Sequence, residues 1–345
     1  MARRPLFHDA AASARLHPFV VGAGDASPRD QRDLMERPFF SLSKSRRIRP
    51  IQYRAGEVEV LVHGLPEHGM ATIWDADVLI WAASQIVDAE NWGVKTSRLL
   101  RFTPYQLLTG VGRATGATEY RLLKASLRRL QSTVVATTIR QGEHWRRQQF
   151  SWINEWEERA VRGGRVEGVE IVLPEWFYRG VVDRSLVLSI DPQYFRLTGG
   201  IERWLYRVAR KHAGRQAAGW AFEIAHLHNK SGSLARASDF ALDIRRIVQR
   251  QPLPGYRLIM ERALGRERLR ILPRVVDIAL GEPVDGLVRS GAPTIGISGA
   301  QGSGYQAHGP AARPDGAGVC DDANLDSNLQ SNSPGAREPG AGRGR

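Results

Sequence analysis

Arginines spaced along amphipathic helices are the chemistry-bearing pattern of this chain. In ATEYRLLKASLRRLQ (Ala117 to Gln131), Tyr120, Leu123, Leu127 and Leu130 fall on one stripe at about 100° per residue. The opposite face carries Thr118, Arg121, Leu122, Ala125, Arg128 and Arg129, with Lys124 at its flank. A guanidinium offers a planar fork of donors that fits phosphate oxygens or the two acceptors of a guanine edge. Ala125, small and central, would let such a helix approach base edges closely, while Lys124 suits a phosphate. For a helix taken in isolation, a solvated basic surface explains the same pattern. A second helix, ARASDFALDIRRIVQRQ (Ala235 to Gln251), repeats it: Phe240, Ala241, Ile244, Ile247 and Val248 face inward. Ser238, Leu242, Arg245, Arg246 and Gln249 face outward, and Asp239 and Asp243 either weaken the field or accept from cytosine. Lys230, Ser231 and Ser233, just before this helix, are candidates for holding a phosphate backbone.

Other chemistry is poorly supported. His226-Leu227-His228 spells a His-hydrophobic-His triplet, which on a strand could hold a divalent ion for attack on a phosphate by Tyr206 or Tyr256. WAFEIAHLHNK reads as a helix instead, and a helix sends residues two apart to different faces. GRATGATEY lacks the Lys-Ser/Thr pair of a phosphate-cradling loop, and GRERLR and GGRVEG read as turns. Ser41, Ser43 and Ser45 have no acid or His partner at useful spacing. Asp75 and Asp77 form a DxD in which Asp75 reads as a helix cap. The sequence points to no metal, no cofactor and no catalytic centre.

Both basic helices must be positioned by what surrounds them. EVEVLVHG (57–64) and MATIWD (70–75) alternate like strands, and DADVLIWAASQIVDAENW (75–92) is helical. A short helix capped by Thr103 with Pro104 at its first position follows, then a glycine turn at Gly110, Gly112 and Gly116. After the first basic helix, TVVATTIRQGEHW (Thr133 to Trp145) reads as a hairpin with Arg140, Gln141, His144, Arg146 and Arg147 at its tip. GVEIVLPEWFYRGVV and SLVLSIDPQYFRLT each read as a strand followed by a helix near Pro174 and Pro192. Helices over 201–214 and 218–233 precede the second basic helix, and PGYRLIMERALGRERLRIL (254–272) forms a hairpin carrying Arg262, Arg266 and Arg268. Helix, helix, turn, basic helix, hairpin is the order of a winged helix-turn-helix, and it occurs twice. The expected fold is α+β: two tandem winged helix-turn-helix domains over 37–195, with a connecting strand and helix layer, and over 196–280. A disordered segment is expected over 1–36, and a disordered Gly/Ala/Pro/Ser-rich tail over 281–345. Basic wing tips would touch phosphates or the minor groove; charge protecting a strand edge is the alternative.

Bulk properties agree with a polyanionic partner. The 345 residues carry 49 Lys plus Arg against 36 Asp plus Glu, a formal charge of +13, and each neutralised phosphate releases counterions. A hydrophobic content of 42% supports real cores. No apolar run approaches the roughly 18 residues of a membrane span, and Cys320 alone permits no disulfide within one chain, which fits a reducing cytoplasm.

The segments RPFFSLSK (37–44), HGMATIWDADVLIWAASQI (68–86), TPYQLLTGVGRATGATEYRLLKASLRRLQSTVVATTI (103–139) and FEIAHLHNKSGSLARASDFALDIRRIV (222–248) resemble the replication initiator protein A family of bacterial plasmids. The resemblance covers roughly 37–274. It implies similarity to iteron-binding initiators, which bind repeated duplex sites at a replication origin, open adjacent DNA and recruit a host initiator and the replicative helicase. It also implies autorepression by a homodimer. The alternatives left open are a winged-helix transcriptional repressor and a metal-dependent nicking initiator.

Overall fold

The computed structural model describes residues 16–22, 24, 26–140, 148–160, 166–214, 216–276 and 283–284. The chain enters through β1 (Phe19–Val20), β2 (Arg29–Gln31) and the single turn α1 (Arg32–Met35). The expectation of disorder over 1–36 therefore fails for the described residues 16–22, 24 and 26–36. Phe19, Val21, Leu34 and Met35 are core residues, and Asp30 is paired with a buried arginine far along the chain. Their partners lie at distant positions, so no local periodicity announces them.

Next come β3 (Ile51–Ala55), β4 (Val58–Gly64) and α2 (Ala76–Asn91). Met70 to Asp75 is not a strand: Thr72 makes one bridge to Ser41, and the chain then turns into α2. From α2 onward one order of elements appears twice. The first set is α2, β5 (Leu99–Phe102), α3 (Pro104–Gly110), α4 (Ala117–Ser132), β8 (Glu155–Ala160) and β9 (Val166–Val172). The second is α6 (Gly200–His212), β11 (Trp220–Glu223), α7 (Ile224–Ser231), α8 (Ala237–Arg250), β12 (Tyr256–Ala263) and β13 (Arg266–Pro273). Each runs helix, strand, helix, helix, strand, strand. In each, the early strand pairs with the last strand, which pairs with the one before it: β5-β9-β8 and β11-β13-β12. All four pairings are antiparallel, and β1 extends the first sheet by a parallel ladder on β5. The stretch 218–233, read from sequence as one helix, opens with β11, because Trp220 to Glu223 are needed to complete the second sheet.

The hairpin directly after α4 is not part of that repeat. β6 (Thr133–Thr137) and β7 (Gln148–Ser151) join β3 and β4 in a separate sheet ordered β3-β4-β6-β7. The residues following β7 explain why. Trp152 is fully buried, stacked on Phe40 at 4.9 Å and edge-on to Phe39 at 5.6 Å, while Phe150 stacks on Trp176 at 4.9 Å. Large aromatics contribute most when buried against one another, so this hairpin is drawn into the core beside the RPFF segment. The strand pair that completes the first repeat comes later, in β8 and β9.

Between the repeats lie α5 (Glu175–Val182), β10 (Val187–Ser189), which pairs with β2, and a short 3-10 turn over Pro192–Arg196. Buried charges then clamp the second repeat to the first and to the N-terminal segment. Arg203 on α6 reaches Asp77 on α2 at 2.7 Å, and Arg207 grips Asp30 with bonds of 2.6 and 3.1 Å. All four side chains are almost wholly buried, so each charge depends on its partner. At Gly200 a Cβ would fall 1.9 Å from the Leu42 carbonyl oxygen, so glycine there lets α6 start against the backbone of the N-terminal segment. Of the expected tail over 281–345, Pro283–Val284 pairs with Val275–Val276; the remainder lies outside the described residues.

Candidate nucleic-acid interface

α4 is placed by contacts on both sides of it. α3 begins with Pro104 under a capping box: Thr103 Oγ1 accepts from the Gln106 amide, and Gln106 Oε1 accepts from the Thr103 amide at 2.8 Å. The turn into α4 passes Gly112 in the left-handed region, and Arg113 ties that turn to Asp77 at 2.8 Å and to the Trp74 carbonyl. Leu123, Leu127 and Leu130 are buried as their spacing predicts. Ser126 is buried with them, because its hydroxyl donates to Asp75 at 2.5 Å.

Asp75 does not cap α2 with its side chain. Its carboxylate accepts from the Thr72 amide and hydroxyl, from Ser126, and from Arg129 through Nε at 2.7 Å and Nη2 at 2.6 Å. Arg129 is thus removed from the expected outer face. Its guanidinium is held above the usual arginine value by these bonds, and its work is to fasten α4 to the start of α2. Lys124 is also matched, by Glu158 on β8 at 2.7 Å. What remains outward on α4 is Thr118, Arg121, Leu122 and Arg128, all exposed, with Ala125 half-buried among them. Neither Arg121 nor Arg128 has an ion pair with a described residue.

On α8, Ser238, Leu242, Arg245, Arg246 and Gln249 are exposed as expected. Its arginines are matched, however: Arg245 to Glu267 on β13 at 2.6 Å, Arg246 to Asp243 at 3.5 Å, and Arg250 to Glu202 at 2.7 Å. Arg266 leans on Glu223 at 3.1 Å while staying exposed. The second repeat therefore presents a more neutral face than the first.

Two further sequence candidates are structural. Arg140 lies over the Trp176 ring at 3.8 Å, binds Asp33 at 2.6 Å and donates to the Trp176 carbonyl. It anchors the N-terminal turn instead of tipping a hairpin. Lys230 closes on Glu36, which also meets Lys211, His212 and Arg37. Burial alone would raise the Glu36 carboxyl, but His212, Lys211, Lys230 and Arg37 hold it far below the usual carboxylate range. Gln141, His144, Arg146 and Arg147 lie outside the described residues. His226 and His228 sit on α7, not a strand. His228 bonds the Ala235 carbonyl and packs on Phe240, while His226 stacks on Phe222. Tyr206 and Tyr256 are buried, which pushes both hydroxyls up.

One signal in the sequence goes beyond element order. α4 opens Ala-Thr-Glu-Tyr and α8 opens Ala-Ser-Asp-Phe, matching type for type, and the sixth residue of each is a leucine. Leu122 and Leu242 both stand exposed, at 47% and 43%. The repeat is thus written in residues as well as in topology.

The mixed helix-and-sheet fold of this chain is shared with a known structure. A crystal structure of domains 2 and 3 of RctB matches with a TM-score of 0.51 at 12% identity, covering 69% of this chain and 96% of that one. A second RctB structure of domains 2-3 gives 0.48 at 13% identity, over 70% and 98% of the two chains. The model of the family described as Replication initiator protein A matches residues 29–258, more than half of the chain. A protein of Wigglesworthia glossinidia brevipalpis described as "Putative replication protein" is 30% identical over 229 residues, 65% of this chain and 82% of that one. This chain belongs to the replication initiator protein A family.

Proposed function

We propose that the chain binds duplex DNA at a replication origin through two winged helix-turn-helix units, with α4 and α8 as reading helices and β8–β9 and β12–β13 as wings. One observation carries this reading. Arg121 and Arg128 stand exposed on the outer face of α4 without an ion pair to a described residue, whereas Arg113, Lys124 and Arg129 around them are each matched by an acid. Cations left unmatched on the third helix of such a unit are where a major groove supplies acceptors. The Thr133 to Trp145 hairpin is released from the wing role, because β6 and β7 join β3 and β4 in a separate sheet. Family membership supports initiation at repeated sites, with opening of adjacent DNA, recruitment of a host initiator and replicative helicase, and autorepression by a homodimer. In this reading the chain carries no catalytic activity of its own, and His226 and His228 are helix residues packed on aromatic rings.

The test is binding to a duplex selected from a random library by the full chain. Arg121→Ala or Arg128→Ala should each cost about 1–3 kcal/mol and relax discrimination at one base pair. Unchanged affinity and preference in both variants would remove α4 from the interface. A divalent-metal-dependent nick on supercoiled origin DNA, lost on replacing His226, would overturn the non-enzymatic part.

A further inference from the structure

The tip of the β12–β13 hairpin carries a side chain that the fold itself does not use. The two strands pair without interruption from Tyr256↔Pro273 to Ala263↔Arg266, so the turn is the two residues Leu264 and Gly265. Both have positive φ, 51° and 76°. Turns with both central residues in this region favour Asn-Gly or Asp-Gly, because an L side chain with a long apolar stem is strained there. Leu264 nevertheless occupies the first position and is 98% exposed, the highest value among the large apolar side chains of the described residues. It gains no packing in return.

The surroundings indicate what it meets. β11 supports β13 only from Arg268 to Ile271, so the last two residue pairs of the hairpin project beyond the sheet. Arg262 is exposed on one arm, and Arg266 and Arg268 stand on the other, sharing Glu223 of β11 at 3.1 and 3.8 Å. The two acids of the tip are neutralised, Glu261 by Arg270 and Glu267 by Arg245 of α8. The Arg245–Glu267 bond also holds the hairpin against the helix assigned to the major groove. An apolar point between arginines, on a stiff projecting ribbon, suits the minor groove. There the potential is strongly negative, and a leucine can enter a base step and part the stacked pairs.

We propose that Leu264 is a minor-groove wedge that unstacks one base step beside the site read by α8. The proposal rests on the DNA-binding reading above and adds a local deformation of the duplex to it.

The experiment uses the full chain and a duplex it selects from a random library, with 2-aminopurine placed at each position in turn. Bound wild type should raise the fluorescence severalfold at one step flanking the α8 half-site. Leu264→Asn, which fits the positive φ and keeps the turn, should abolish that rise while remaining folded by circular dichroism and still binding. Leu264→Met should retain it, and Leu264→Gly gives a second loss variant if the asparagine variant is unstable. A rise that persists in the folded loss variants overturns the wedge, as does the absence of any brightened step under wild type. So does a change in self-association as the sole effect of the substitution. In those cases the DNA reading survives; failure to enrich any duplex would remove both.

Discussion

Asp75→Asn tests whether α4 is held by the carboxylate at its back. The side chain accepts five hydrogen bonds, from Thr72, Ser126 and Arg129. Asparagine keeps one acceptor oxygen and turns an NH₂ toward donors, so the bidentate grip on Arg129 is lost. Arg129 is 27% exposed and can take up water, which moderates the cost. Ser126 and Thr72 are buried and cannot. Each buried donor left without an acceptor costs about 1–3 kcal/mol, and each hydrogen bond to a charged group contributes about 1.5–3 kcal/mol. The total comes to about 3–5 kcal/mol, the range for removing one partner of a buried pair. Against a typical stability of about 5–15 kcal/mol, this leaves the fold near its limit. Urea unfolding followed by circular dichroism reads the loss directly. A double-mutant cycle with Arg129→Met should give a coupling of about 1.5–3 kcal/mol. A loss below about 1 kcal/mol, or a coupling within about 0.5 kcal/mol of zero, would refute the reasoning.

The Glu36 cluster makes stability acid-sensitive. The Glu36 carboxyl is depressed in the folded state, so its contribution is fully present above its ordinary value of 4.5 and is lost as pH falls below it. His212 is lowered from 6.5, chiefly by burial, so the unfolded chain takes up a proton that the folded chain resists, and the loss begins below that value. The urea midpoint should therefore fall between about pH 6.5 and pH 4; a flat profile over that window contradicts the assignment. Glu36→Gln should cost about 3–5 kcal/mol at pH 7 by leaving Lys211 and Lys230 facing no anion. Leu122→Ala and Leu242→Ala should leave the melting temperature within about 2 °C of wild type yet weaken specific binding by about threefold or more, the size of a methyl contact. Equal affinity in both would assign the leucines no part in recognition.

The sequence revealed the elements whose determinants are local. Thr103 with Pro104 and Gln106 announces α3, the stripes of α4 and α8 announce those helices, and the alternation of Tyr256 to Leu272 announces the second hairpin. It concealed everything decided by partners far away. Phe19 pairs beside Leu100, Asp30 meets Arg207, and Asp33 meets Arg140, so the N-terminal segment looks unstructured on its own. Adjacency in sequence also favoured the wrong hairpin after α4. The aromatic burial of Phe150 and Trp152 takes β6–β7 elsewhere, while the acidic EWEERA segment gives little sign that β8 belongs to the first repeat. Within the candidate site, helical spacing identified Thr118, Arg121 and Arg128 as outward. It could not distinguish them from Arg129, Arg140 and Lys230, whose charges are consumed by Asp75, Asp33 and Glu36. An arginine pattern fixes a face; the acids opposite it decide which arginines stay free.

Guanine N7 protection against dimethyl sulfate on the selected duplex probes the reading face most directly. Wild type should shield particular guanines, and Arg121→Ala and Arg128→Ala should each restore reactivity at one of them while the rest stay covered. Identical protection by wild type and both variants would mean that the outer face of α4 does not lie in the groove.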